Sequence, residues 1–143
     1  MRALGVDLGS RRIGVAVSDP SGVLASPLQV VMRTGDRGRD HRILIDLARE
    51  LGADRIVVGL PISLDGSMGP AARAVLEEVE ELAATTEVPV ETYDERLTTV
   101  TADRALREQG MKGPDRRQVV DKAAAAVLLQ TWLDGRRDRP PKR

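Results

Sequence analysis

Two apolar runs, residues 3–8 and 12–18, flank a tight Gly9-Ser10-Arg11 turn, the pattern of two strands joined as a hairpin. Asp19-Pro20-Ser21-Gly22 is a turn signal, and Val23 to Met32 is a third extended run. Pro27 within it predicts an edge position or a bend, because proline has no N–H for a central ladder. Three strands with short connections predict an antiparallel meander. Thr34 to Asp40 is polar and reads as a loop. A helix follows to about Gly52, with Ile43, Leu44, Leu47, Ala48 and Leu51 on one face.

Arg55 to Leu60 is a continuous apolar run, as expected of a central strand covered on both sides. After a loop from Pro61 to Met68, Gly69-Pro70 opens a helix reaching about Thr86. Its inner face carries Ala72, Val75, Leu76, Val79, Leu82 and Ala83, and Glu77, Glu78, Glu80 and Glu81 read as a solvated outer face. Val88 to Tyr93 is a fifth strand. One helix is expected from about Thr99 to Gly110, and a last one from about Asp115 to Leu133. This order predicts an α/β fold: a mixed five-stranded sheet, three antiparallel strands followed by parallel ones, flanked by helices. Residues 1–135 read as one domain and 136–143 as a polar basic tail.

Composition narrows the function classes. The chain has 143 residues and no cysteine, which excludes disulfides, thiolate metal sites and cysteine nucleophiles. Its apolar runs are too short for a membrane span, and Met1-Arg2-Ala3 leads straight into the first strand, so no signal peptide and a cytoplasmic location are expected. With 22 basic and 22 acidic residues, the net charge of zero argues against generic charge-driven nucleic-acid binding. Tyr93 and Trp132 are the only aromatics, too few for a base-stacking platform. Nineteen of the basic residues are arginine, which suits bidentate phosphate contacts and equally suits a GC-rich genome. Arg33, Arg37, Arg39, Arg42 and His41 read as a solvated surface with a secondary prospect of touching phosphate. His41, the only histidine, is expected to be exposed and without a role.

Three acids stand out. Asp7 interrupts an apolar strand, where an unpartnered carboxylate is costly. It is either a structural acid bonded to the turn amides or a ligand for a cation, with Gly5 and Gly9 on its face leaving space. Glu95 follows the fifth strand, at the end where open α/β sheets bind ligands. Adjacent Asp94 cannot point the same way while the chain is extended, and Arg96 is placed to pair with either. Asp121 lies at the edge of an inward stripe formed by Val120, Ala124, Val127, Leu128, Thr131 and Trp132, with a salt bridge to Arg117 as its alternative role. Acids from strand 1, the end of strand 5 and the last helix can meet at one end of such a sheet, where clustered carboxylates repel unless a cation joins them. Oxygen-only ligation favours Mg²⁺ or Mn²⁺ and suits hydrolysis of a phosphodiester.

The blocks Gly5-Val6-Asp7-Leu8-Gly9-Ser10 with Ile13-Gly14-Val15-Ala16, Val58-Gly59-Leu60-Pro61 with Asp65-Gly66, Asp94-Glu95-Arg96-Leu97-Thr98-Thr99, and Val120-Asp121-Lys122-Ala123-Ala124-Ala125 occur in order. Over about Leu4 to Leu133 the chain resembles the YqgF (RuvX-like) family of Holliday-junction-resolvase-like proteins with an RNase H fold. Members are also described as nucleases for the precursor of 16S ribosomal RNA. The resemblance implies that Asp7, Glu95 and Asp121 are catalytic metal ligands, Asp7 central between the other two. Arg11, Arg12 and Arg96 lie near these motifs and are candidates for holding flanking phosphates. Ser63 departs from the asparagine expected there in many members, which bears on substrate contacts of that loop.

Nucleic acid is therefore the expected partner, with pre-rRNA favoured over a DNA junction, no membrane, and a monomer or weak homodimer. Three alternatives remain. A four-way junction resolvase needs a two-fold dimer. A non-catalytic RNA- or ribosome-binding factor fits the neutral charge. A sugar-kinase or actin-like ATPase shares the strand-turn-strand, but needs two such domains around ATP.

Overall fold

The computed structural model describes residues 1–97 and 113–137, with side-chain surroundings for 1–96 and 122–136. Five strands, β1 (Ala3–Leu8), β2 (Arg12–Ser18), β3 (Ala25–Met32), β4 (Arg55–Leu60) and β5 (Val90–Asp94), form one sheet in the order β3-β2-β1-β4-β5. β1 pairs antiparallel with β2 and parallel with β4, and β4 pairs parallel with β5. β3 is one of the two edge strands of the described sheet, and the β2–β3 ladder shifts register at Val15/Ala16, where Ala16 faces Pro27. Both readings of Pro27 are thus realised, since the edge tolerates its missing donor and the bulge absorbs the bend.

The alternation of β1 sorts the two faces. Leu4 and Val6 join Ile13, Val15, Ile56 and Val58 in a core covered by α1 (Arg37–Glu50) and α2 (Pro70–Thr85). Ala3, Ala16 and Val57 face the opposite way, onto the C-terminal helix α3 (Gly113–Arg137), which presents Ala125, Leu129, Trp132 and Leu133. Gly5 sets how close that helix comes: a Cβ there would lie 2.8 Å from the Leu129 Cβ and 3.0 Å from the Ala125 carbonyl oxygen. The Gln130 amide also accepts from the Ala25 N–H at 2.8 Å and donates to the Val23 carbonyl at 2.9 Å, tying α3 to the edge strand.

Several expectations need correcting. α1 begins at Arg37, inside the segment read as a loop, because Asp36 caps it by accepting from the Arg39 N–H. His41 is therefore helical and buried, not exposed. Glu78 is buried as well, not part of a solvated face, because α2 turns its Val75, Glu78, Val79 and Leu82 side inward. The inward stripe of α3 is Ala125, Leu128, Leu129, Trp132 and Leu133, rotated from the one expected, while Ala124, Val127 and Thr131 are only half-buried. The helix expected over 99–110 lies outside the described residues.

Candidate active site

Asp7 lies on the central strand, near its carboxyl end and on the face that α3 covers. Its partner across the antiparallel ladder is Gly14, and Gly5 precedes it on the same face. The parallel ladder pairs Gly5 with Val57, and one step further along both strands Gly59 lies beside Asp7. A half-buried carboxylate thus has three glycines around it.

Glu95 comes to the same place from β5. The strand ends in one 3-10 turn, Glu95–Leu97, which folds the chain back over β4. A Cβ built on Gly59 would lie 3.2 Å from the Glu95 Oε2, so the carboxylate rests on the bare backbone of Gly59. An alanine at 59 would press on it, and a bulkier side chain would displace it. The strand alternation that puts Gly59 beside Asp7 therefore also brings the Glu95 carboxylate to that face.

The neighbouring acid is used differently. The Arg96 N–H donates to Asp94 Oδ1 at 2.9 Å, and its Nε and NH2 donate to Oδ2 at 2.8 and 2.6 Å. The Arg96 guanidinium holds the Asp94 carboxyl below the usual carboxylate range. Asp94 thus caps the turn that carries Glu95, and the expected divergence of the two acids is present. The β4–α2 loop lies alongside. Its Asp65 accepts from the Ser67 hydroxyl and N–H at 2.7 and 2.9 Å, and the Arg96 NH1 is 3.6 Å from where a Gly66 Cβ would stand.

Arg11, exposed, lies on the β1–β2 turn after Asp7, and Arg12, half-buried, opens β2. Arg96 is also near the site, engaged with Asp94. Asp121 lies on α3 one turn before Ala125, and its side chain lies outside the described residues. Among the described residues no three acids or histidines form a metal-binding group. Asp7 and Glu95 are described carboxylates at this face, an oxygen-only donor pair.

Behind the turn lies a cluster that sequence reasoning missed. Arg33, at the end of β3, donates from Nε to the Gly9 carbonyl and from both terminal nitrogens to Glu78. His41 shares Glu78 Oε2 at 2.8 Å. Burial pushes the Glu78 pKa up, but the hydrogen bonds from Arg33 and His41 outweigh it and hold the carboxyl below its ordinary value. The available signal was helical spacing: Glu78 belongs to the run Val75, Val79, Leu82, and His41 to the run Leu44, Ile45, Ala48.

Comparison with known proteins bears on the family and the fold. Relatives from Mycobacterium sp. strain KMS and Mycobacterium leprae strain TN, both provisionally named pre-16S rRNA nuclease, are 48% identical over 137 and 144 residues. These matches cover 95% and 99% of this chain and 81% and 77% of the relatives. A solved structure of Thermus thermophilus RuvC in complex with a Holliday junction substrate superposes with a TM-score of 0.59 over 96% of each chain, at 21% identity. That likeness bears on the fold, which is RNase H-like as expected. A family model described as "RuvX: Holliday junction resolvase" matches residues 1–135, and on that match and the 48% identity of its relatives the chain belongs to the RuvX family.

Proposed function

We propose that this protein is a metal-dependent nuclease that hydrolyses phosphodiester bonds in the precursor of 16S ribosomal RNA. The observation that carries the reading is the seat of the Glu95 carboxylate on Gly59, beside Asp7 and on the same face. Two acids from distant elements share a floor of glycine, and a cation between them would offset the mutual repulsion of their carboxylates. In this reading Asp121 is the third acid. Ala125 packs on Gly5, and one turn back along α3 corresponds to the step from Gly5 to Asp7 along β1.

Asp7, Glu95 and Asp121 hold a hard divalent cation, Mg²⁺ or Mn²⁺, which suits carboxylate oxygens. When bound, such a cation stabilises charge developing on the phosphate and acidifies the attacking water. The chain's own residues do the rest. The glycine floor admits a sugar-phosphate backbone, and Arg11 and Arg12 hold phosphates flanking the scissile one. Arg96 first serves the turn bearing Glu95 and reaches phosphate only by leaving Asp94. The site of action is the cytoplasm, where ribosomal RNA is processed, and a monomer or weak homodimer suffices.

The names of the relatives favour ribosomal RNA as substrate, while the family description favours a four-way DNA junction. The test is a cleavage assay on a pre-16S rRNA fragment, an unrelated single-stranded RNA and a synthetic four-way junction, with Mg²⁺ or Mn²⁺. Metal-dependent cutting of the rRNA fragment, abolished by chelation and by Asp7→Asn with the fold intact, is the expected result. Symmetric nicking of the junction alone moves the reading to a resolvase acting as a two-fold dimer. A fully active Asp7→Asn protein overturns the site.

A further inference from the structure

On the far side of the Leu8–Ser10 turn from Asp7 lies a cleft of about 400 Å³. One wall is that turn, which follows the Asp7 strand directly. The opposite wall is the first turns of α2, where exposed Ala71 and Ala74 leave a wide mouth above Val75. Pro61, just after β4, closes one end. The back is rigid: Arg33 is bound to Glu78 and to the Gly9 carbonyl, so its guanidinium is committed. Arg37 at the rim is different. Its pair with Glu81 at 2.9 Å leaves the two side chains 46% and 52% exposed, and pairs of that kind hold weakly. Arg37 can therefore turn to another anion at little cost.

Resting on the nuclease reading above, we infer that this cleft receives one nucleotide of the substrate strand next to the scissile phosphate. The base lies on the apolar floor of Leu8, Pro61 and Val75, and the phosphate meets Arg37 and Ser10. Three observations favour this occupant. The cleft and the candidate catalytic face share one turn, so a strand lying over Gly9 and Ser10 enters both. The volume is within the range of small-ligand sites and suits one planar group rather than a folded partner. The floor is apolar while a loosely held cation stands at the rim, which matches a base joined to a phosphate.

The test is binding of a fluorescein-labelled single-stranded oligoribonucleotide to the full chain, followed by anisotropy across a salt series. Ala74→Trp fills the cleft from an exposed position, and Arg37→Ala removes the rim cation. Ala74→Trp is expected to weaken binding about tenfold, the loss of roughly one base contact. Arg37→Ala is expected to reduce the slope of log K against log salt by about 0.7, the value for one phosphate on a single strand. In cleavage assays both variants are expected to raise KM far more than they lower kcat. Binding and salt slope equal to wild type in both variants overturn the inference, as does a wild-type protein that binds no oligonucleotide. If the wild type binds through the cleft yet cuts nothing, the cleft stands and the nuclease reading falls.

Discussion

Arg33 clasps both carboxylate oxygens of Glu78, at 2.7 and 2.9 Å, while its Nε holds the Gly9 carbonyl at 2.8 Å. The end of β3, the inner side of α2 and the turn after Asp7 are thereby joined through one guanidinium. Glu78→Ala leaves that guanidinium and His41 without their shared acceptor inside the protein. Breaking one member of a buried pair is expected to cost about 3 kcal/mol, read as a lowered urea midpoint. Replacing both partners together, Arg33→Met with Glu78→Leu, is expected to cost less than Glu78→Ala alone. A double variant no better than the single one would show that the Gly9 contact, not the ion pair, carries the stability.

The same carboxylate predicts an acid limb of stability. Its folded pKa lies below the ordinary value of 4.5 because the Arg33 and His41 bonds overcome the cost of burial. A depressed carboxylate stabilises the fold fully above its unfolded pKa, and that contribution disappears as pH falls through the folded value. Urea midpoints are therefore expected to hold on descending to about pH 5 and to decline below it. Glu78→Gln should start lower and lose less over the acid range.

At Gly59 the prediction concerns activity. An alanine Cβ would stand 3.2 Å from Glu95 Oε2 and 3.3 Å from the Leu128 Cδ2, both of which can shift by tenths of an ångström. Gly59→Ala is expected to lower kcat modestly. The extra methyls of Gly59→Val would drive the carboxylate off its seat, and a displacement near 1 Å is expected to cost about a hundredfold in kcat. Unchanged kcat in the valine variant, with far-UV circular dichroism intact, would remove Glu95 from the reaction.

Gly5 tests the placement of α3. A Cβ 2.8 Å from the Leu129 Cβ has no room, so Gly5→Ala must push the helix outward. Overpacking of this kind is expected to cost about 1–3 kcal/mol in chemical denaturation. Because Asp121 rides on that helix, kcat should fall further than the loss of stability explains, when assayed well below the melting transition.

Much of the architecture was legible in the chain. The apolar runs at 3–8, 12–18 and 55–60 became β1, β2 and β4 with those bounds, since the alternation of β1 and the burial of β4 are written in side-chain type. Proline at 27 marked the edge because a missing N–H is a local property. The candidate acids stood out for a similar reason: Asp7 in an apolar strand conflicts with its surroundings in any fold that buries that strand.

What lay beyond reach was which distant groups meet. Nothing local distinguishes Asp94 from Glu95 as the acid turned toward Gly59; the 3-10 turn and the Arg96 clasp decide it. His41 and Glu78 read as surface residues because each is polar. Burial depends instead on which sides of α1 and α2 are pressed together, and a charge is tolerated there only when its partners arrive from other elements. By itself the sequence determined the strands, most of the helices and the candidate acids, because these follow from periodicity and residue chemistry. Tertiary structure alone decided the strand order, the seat of Glu95 on Gly59 and the buried Arg33–Glu78–His41 cluster, because each is a contact between segments far apart in the chain.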